Sequence, residues 1–125
     1  MPSKSAVVLI VDDDAAVRGA LKFALGAEGF DVRDYGGPVA LLSDSNLPKI
    51  GCLVVDYHMP IMNGLELVAA LRARNVDAPV IIITGRVDKE LGARAAKLGI
   101  GRVLEKPLPD GALVAAIRSA LTTGG

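Results

Sequence analysis

The chain has 125 residues, enough for one domain with a proper core and no cross-links. Its fourteen Lys and Arg balance fourteen Asp and Glu, which argues against direct binding of nucleic acid, since that binding leaves a basic footprint. Cys52 is the only cysteine, which excludes an internal disulfide, no apolar stretch approaches the roughly 20 residues of a membrane helix, and the N-terminus lacks the basic and apolar segments of a signal peptide, so a cytoplasmic protein with no membrane partner is expected.

Hydrophobic residues make up 51% of the sequence and aromatic ones 3%, so the core must be built from Val, Ile, Leu and Ala. Aliphatic cores of this kind suit strands covered by helices on both faces. The first apolar run, Ala6–Val11, has no alternation and leads into Asp12 and Asp13. A helix follows from Asp14 to about Glu28, with Val17, Leu21 and Leu25 recurring every four residues, Ala20 and Ala24 beside them, and Gly29 as a stop. Phe30–Tyr35 alternates in part, with Phe30 and Val32 on one face and Asp31 and Arg33 on the other, as an edge strand does. A short helix from Pro38 to about Asp44 has its proline near the start, where the missing N–H costs little.

The run Gly51–Val55 ends on Asp56. Leu67, Val68 and Leu71 mark a third helix, entered from the Asn63–Gly64 turn. Pro79–Ile83 ends on Thr84; Leu91, Ala95 and Leu98 mark a fourth helix closed by Gly99. Arg102–Leu104 ends on Glu105 and Lys106, and Asp110 begins a fifth helix with Leu113, Ile117 and Leu121 as its inward stripe. Met1–Ser5 and Thr122–Gly125 read as loose ends. Five β-α units in strict alternation predict a single doubly wound α/β domain, with its core from about residue 6 to 121. A flavodoxin-like strand order, 2-1-3-4-5, sets the first and third strands side by side at the switch point, where such sheets bind ligands.

Those two strands carry Asp12, Asp13 and Asp56. Adjacent strands lie about 4.8 Å apart, and two unit charges at about 4 Å repel by roughly 4 kcal/mol at an effective dielectric near 20. A cation is needed, and Mg²⁺ is the expected one: a hard ion that accepts one or two carboxylates and shares a phosphate with the protein. Lys106, two strands away from the third, can bring an ammonium back to the cluster. A positive charge facing a Mg²⁺ site suits a phosphoryl group, whose transfer depends on positioning and on neutralising charge over three oxygens. Thr84 adds a hydroxyl, and Asp56, placed centrally, is the candidate acceptor because carboxylates form acyl phosphates.

Ile10-Val11-Asp12-Asp13-Asp14, Val54-Val55-Asp56-Tyr57-His58-Met59-Pro60 with Asn63-Gly64, Ile82-Ile83-Thr84-Gly85 and Leu104-Glu105-Lys106-Pro107 follow one another on the expected elements. In this the chain resembles the receiver domain of two-component response regulators, from about Ala6 to Leu121. The resemblance implies a phosphoacceptor switch in which Asp56 takes a phosphoryl group from a histidine kinase or phosphotransfer protein. It implies Mg²⁺ held by Asp13, Asp56 and the backbone carbonyl of His58, with Asp12 acting mostly through a metal-bound water. Thr84 and Lys106 would hold the phosphoryl group, and Lys106–Pro107 would be cis. Such a regulator is an enzyme only on itself, catalysing its own phosphorylation and dephosphorylation.

Output is expected through the fourth helix, fifth strand and fifth helix, toward a partner protein or an effector domain; none is expected within these 125 residues. A homodimer through the last two helices is compatible with the pattern. The family commonly has Phe or Tyr three residues before the lysine, where this chain has Val103, which cannot make the inward swing of that aromatic. Two alternatives stand beside this reading. One is a Mg²⁺-dependent phosphohydrolase of the haloacid-dehalogenase type, which would place a second aspartate where His58 stands. The other is a receiver-like interaction module that works unphosphorylated. Asp14 is expected to be a helix cap, and Met59 and Met62 to be loop packing.

Overall fold

The computed structural model describes residues 7–109 and 111–123, with the side chain of residue 123 excepted. The expected strand start at Ala6, the loose ends at residues 1–5 and 124–125 and the expected helix start at Asp110 lie outside the described residues. Ten elements alternate: β1 (Val7–Val11), α1 (Ala15–Ala27), β2 (Asp31–Tyr35), α2 (Pro38–Leu42), β3 (Cys52–Asp56), α3 (Gly64–Ala73), β4 (Val80–Thr84), α4 (Lys89–Lys97), β5 (Arg102–Glu105) and α5 (Ala112–Thr123). All strand pairs are parallel, in the order β2-β1-β3-β4-β5. This is the doubly wound sheet expected from the β-α alternation.

Continuous apolar runs become the three central strands because both of their faces are covered. Alternate residues feed two cores: Leu9, Val11, Leu53, Val55, Val80 and Ile82 pack with α2, α3 and α4, while Val8, Ile10, Cys52, Val54, Ile81 and Ile83 pack with Leu25 of α1 and Leu113, Ala116 and Ile117 of α5. The outer strand β2 is only half-buried. Cys52 has no exposed surface, and burial pushes its thiol up to about 12.

The starts of α1, α3 and α4 are set by side-chain caps. Asp14 accepts from the N–H groups of Ala16 and Val17 at 2.9 and 3.2 Å, Asn63 and Glu66 form a reciprocal capping box on α3, and Asp88 accepts from Leu91 N–H at 2.8 Å. Each such cap contributes about 1 kcal/mol.

Three differences from the sequence expectation have simple causes. Asp56 and Thr84 are the last residues of their strands and not the residues after them, because the ladder continues to the Asp56↔Ile83 and Thr84↔Glu105 pairs. Helix α5 continues through Thr122 and Thr123, two residues with weak helix propensity, where loose ends were expected. Ala20 and Ala24 are exposed, so the inward stripe of α1 is narrower than its composition suggests. Among the described residues no helix is long and apolar enough to cross a membrane.

Candidate functional site

Strands β1 and β3 run in register, Val11 opposite Val55, so the residues that follow Val11 and end β3 emerge together at the carboxyl edge. There Asp12, Asp13 and Asp56 each present a carboxylate oxygen, and these oxygens lie within 4.8 Å of one another. Asp12 and Asp56 are buried and Asp13 is exposed, so the cluster opens to solvent on the Asp13 side.

Asp12 is held at three points. Its N–H donates to Tyr35 O at 3.2 Å, its Oδ1 accepts from Asp14 N–H at 2.9 Å, and its carbonyl accepts from the Arg18 guanidinium at 2.9 Å. Burial pushes the Asp12 carboxyl above its ordinary range; the Asp14 N–H opposes this, and the Asp56 charge reinforces it.

The amide of Lys106 donates to Thr84 O at 2.8 Å, which continues the β4–β5 pairing past the strand end. From there the Lys106 ammonium reaches Asp56 Oδ1 at 3.4 Å while its side chain stays 43% exposed. With its ammonium screened by solvent the pair adds little to stability; its consequence is a positive charge at the mouth of an acidic cleft. The Lys106–Pro107 peptide is cis.

Thr84 is fully buried, and its hydroxyl is turned into its own loop, donating to Arg86 O at 3.2 Å and accepting from Arg86 N–H at 3.3 Å. The Glu105 carboxylate ties that loop down by accepting from Val87 N–H at 2.8 Å. Val103 is half-buried, pairs with Ile82 and packs into the core on the α2–α4 side. The imidazole of His58 is not part of the carboxylate cluster: the residue is exposed and its ring meets Tyr57 edge-on at 4.8 Å. Met59 and Met62 are half-buried against the core, as loop packing requires.

The aspartates and Lys106 are therefore gathered, Thr84 stands on the neighbouring strand with its hydroxyl engaged elsewhere, and His58 flanks the cluster. Sequence reasoning gave no part to Arg18, Glu105 or the close approach at Gly64. A Cβ on Gly64 would stand 2.9 Å from Asp56 O, 3.1 Å from Tyr57 Cα and 3.1 Å from Val55 Cγ1. The glycine lets the first turn of α3 press against the end of β3, where Gly64 N–H donates to Tyr57 O at 2.9 Å. The Asn63–Gly64 pair was the only signal, and it reads equally well as an ordinary turn.

The donor set of the cluster is all-oxygen and bears three negative charges against one neighbouring ammonium. That fits a hard divalent cation such as Mg²⁺ and offers nothing to a soft metal. Fold and site together describe a signalling receiver, and the comparisons with known proteins agree. The family model "Response regulator receiver domain" matches residues 8–118, and the chain belongs to that family, the receivers of two-component systems. It is 42% identical over 119 residues to the transcriptional regulatory protein FixJ of Azorhizobium caulinodans, covering 94% of this chain and 56% of that protein. The response regulator protein TodT of Pseudomonas putida is 34% identical over 121 residues, with 97% of this chain and 53% of that protein covered. The chain thus spans about half the length of these curated relatives. The crystal structure of FixJ-N superposes with a TM-score of 0.83 at 35% identity, over 98% of this chain and 97% of that one.

Proposed function

We propose that this receiver is a phosphoacceptor switch in which Asp56 takes a phosphoryl group from the phosphohistidine of a kinase or phosphotransfer protein, with Mg²⁺ as the cofactor. The observation that carries the reading is the convergence of three carboxylates within 4.8 Å, with the Lys106 ammonium 3.4 Å from one of them. Asp12, Asp13, Asp56 and the backbone carbonyl of His58 are the residues assigned to the ion. When bound, Mg²⁺ offsets the crowded negative charge and the charge on the phosphoryl oxygens.

The chain's own groups do the rest. An Asp56 carboxylate oxygen attacks phosphorus as the P–N bond breaks, and the electron pair of that bond returns to the donor imidazole. Lys106 pairs with a phosphoryl oxygen in place of the Asp56 oxygen it now contacts. The Thr84 hydroxyl exchanges its Arg86 carbonyl for another phosphoryl oxygen. That exchange loosens the β4–α4 loop, which Glu105 still ties through Val87 N–H, and shifts the populations of α4, β5 and α5, where a partner or effector domain reads the change. With Val103 where an aromatic is common, the output passes through the loop and α4 and not through an inward ring swing. His58 and Arg86, both exposed beside the site, are assigned control of water access to the acyl phosphate; unchanged phosphoprotein lifetimes after replacing each with Ala would remove that role.

The test is exposure to a small phosphoryl donor with and without Mg²⁺, followed by intact-mass measurement of the wild type and Asp56→Asn. Addition of one phosphoryl mass to the wild type alone, dependent on Mg²⁺, is the expected result. An unmodified wild type, or a variant modified equally, contradicts the reading. Turnover of small phosphate esters would instead favour a phosphohydrolase, and partner binding indifferent to Asp56→Asn would favour an unphosphorylated interaction module.

A further inference from the structure

We propose that Arg18 is a positioning residue for the divalent ion, fixing the Asp12–Asp13 peptide so that both carboxylates face Asp56. The inference rests on the acidic cluster being the ion site.

Arg18 projects from the second turn of α1, and its guanidinium does two things at once. Its Nε donates to Asp34 Oδ2 at 3.2 Å, and its NH1 donates to the backbone carbonyl of Asp12 at 2.9 Å. Asp34 lies on β2, outside the switch point, and also takes the Lys22 ammonium at 3.4 Å. The Arg18 side chain is mostly buried, 21% exposed, and its guanidinium is bonded on two sides, so it is held in a way that a solvated arginine is not. The carbonyl it holds belongs to the peptide joining Asp12 to Asp13. Because the peptide is planar, fixing that oxygen also fixes the N–H and the Cα of Asp13, the point from which its side chain leaves the backbone.

This matters most for Asp13. Asp12 has further restraints, through Asp14 N–H on its carboxylate and Tyr35 O on its amide. Asp13 is exposed. The place from which its carboxylate reaches the cluster therefore depends on the peptide that Arg18 holds.

The sign of the effect separates this role from two others. A guanidinium near three carboxylates repels an incoming dication, so a purely electrostatic role predicts tighter ion binding when the charge is removed. A purely structural role predicts a lower melting temperature with unchanged affinity for the ion. A positioning role predicts weaker binding despite the lost repulsion, as happens when groups that orient metal ligands are removed. Lysine keeps the charge and loses the fork that spans Asp34 and Asp12.

The experiment is an EPR titration of Mn²⁺ into the wild-type chain, Arg18→Ala and Arg18→Lys without phosphoryl donor, with melting temperatures recorded alongside. Arg18→Ala is expected to bind Mn²⁺ about tenfold more weakly, the lower end for such outer partners, and Arg18→Lys to fall between it and the wild type. Equal or tighter binding by Arg18→Ala overturns the proposal. If Arg18→Ala does not fold, Arg18→Lys decides: weaker binding than the wild type supports the role, and equal binding overturns it. A wild type that binds no Mn²⁺ removes the ion site itself, and the positioning role with it.

Discussion

Replacing Gly64 with alanine should strain the end of β3 and lower stability, although alanine is the better helix former. The added Cβ would stand 2.9 Å from Asp56 O and 3.1 Å from Tyr57 Cα, both backbone atoms, so no flexible side chain can move aside. Overpacking of this kind costs about 1–3 kcal/mol, while Gly→Ala at a tolerated backbone conformation returns about 0.4–1 kcal/mol. The net is a loss of roughly 1–2 kcal/mol, or about 4–8 °C in Tm for a chain of this size. Gly92, inside α4, is the internal control, because nothing lies within 4 Å of a Cβ built there. Gly92→Ala should raise Tm by roughly 2–4 °C through the unfolded chain alone. Differential scanning calorimetry on the ion-free proteins reads both. The strained contact should also displace Asp56 and slow its phosphorylation. A Gly64→Ala variant as stable as Gly92→Ala would refute the close-approach argument.

Lys106→Ala should take up far less phosphoryl group while binding Mg²⁺ as well as the wild type or up to about fivefold tighter, since an exposed cation 3.4 Å from Asp56 has been removed; parallel calorimetric titration and mass measurement read the two effects, and a loss of Mg²⁺ affinity would contradict this placement. The Cys52 thiol, without exposed surface and pushed up to about 12, should stay unreactive toward a disulfide reagent at pH 8 in the native protein and react fully in denaturant. Reaction at equal rates in both states would show that β3 is not closed over as described.

Long-range placement was legible in the sequence because strands covered on both sides leave uninterrupted apolar runs. Cys52–Asp56 and Val80–Thr84 are each displaced by one residue at both ends from the expected Gly51–Val55 and Pro79–Ile83, and the first strand ends at Val11 as expected. The acidic residues were legible for the same reason, since each ends a run and the winding order brings the runs together. What was hidden depends on single bonds to the backbone. Arg18 reads as one more charged residue on a helix, and only the structure shows its guanidinium spanning Asp34 and the Asp12 carbonyl. Glu105 reads as the residue before the lysine, and its bond to Val87 N–H needs the fold of the intervening loop. The direction of the Thr84 hydroxyl is a rotamer, which no periodicity encodes. Phe23, 82% exposed on α1, is the reverse case: the sequence places an apolar ring on a helix, and the structure leaves it in solvent.

Ion and phosphoryl group are proposed to share one site at Asp56. Phosphorus NMR of the protein treated with a phosphoryl donor tests it directly, first in Mg²⁺ and then after exchange into paramagnetic Mn²⁺. The expected result is one acyl-phosphate resonance, absent in Asp56→Asn, that broadens beyond detection when Mn²⁺ replaces Mg²⁺. A resonance that survives in Asp56→Asn, or one indifferent to Mn²⁺, would contradict it.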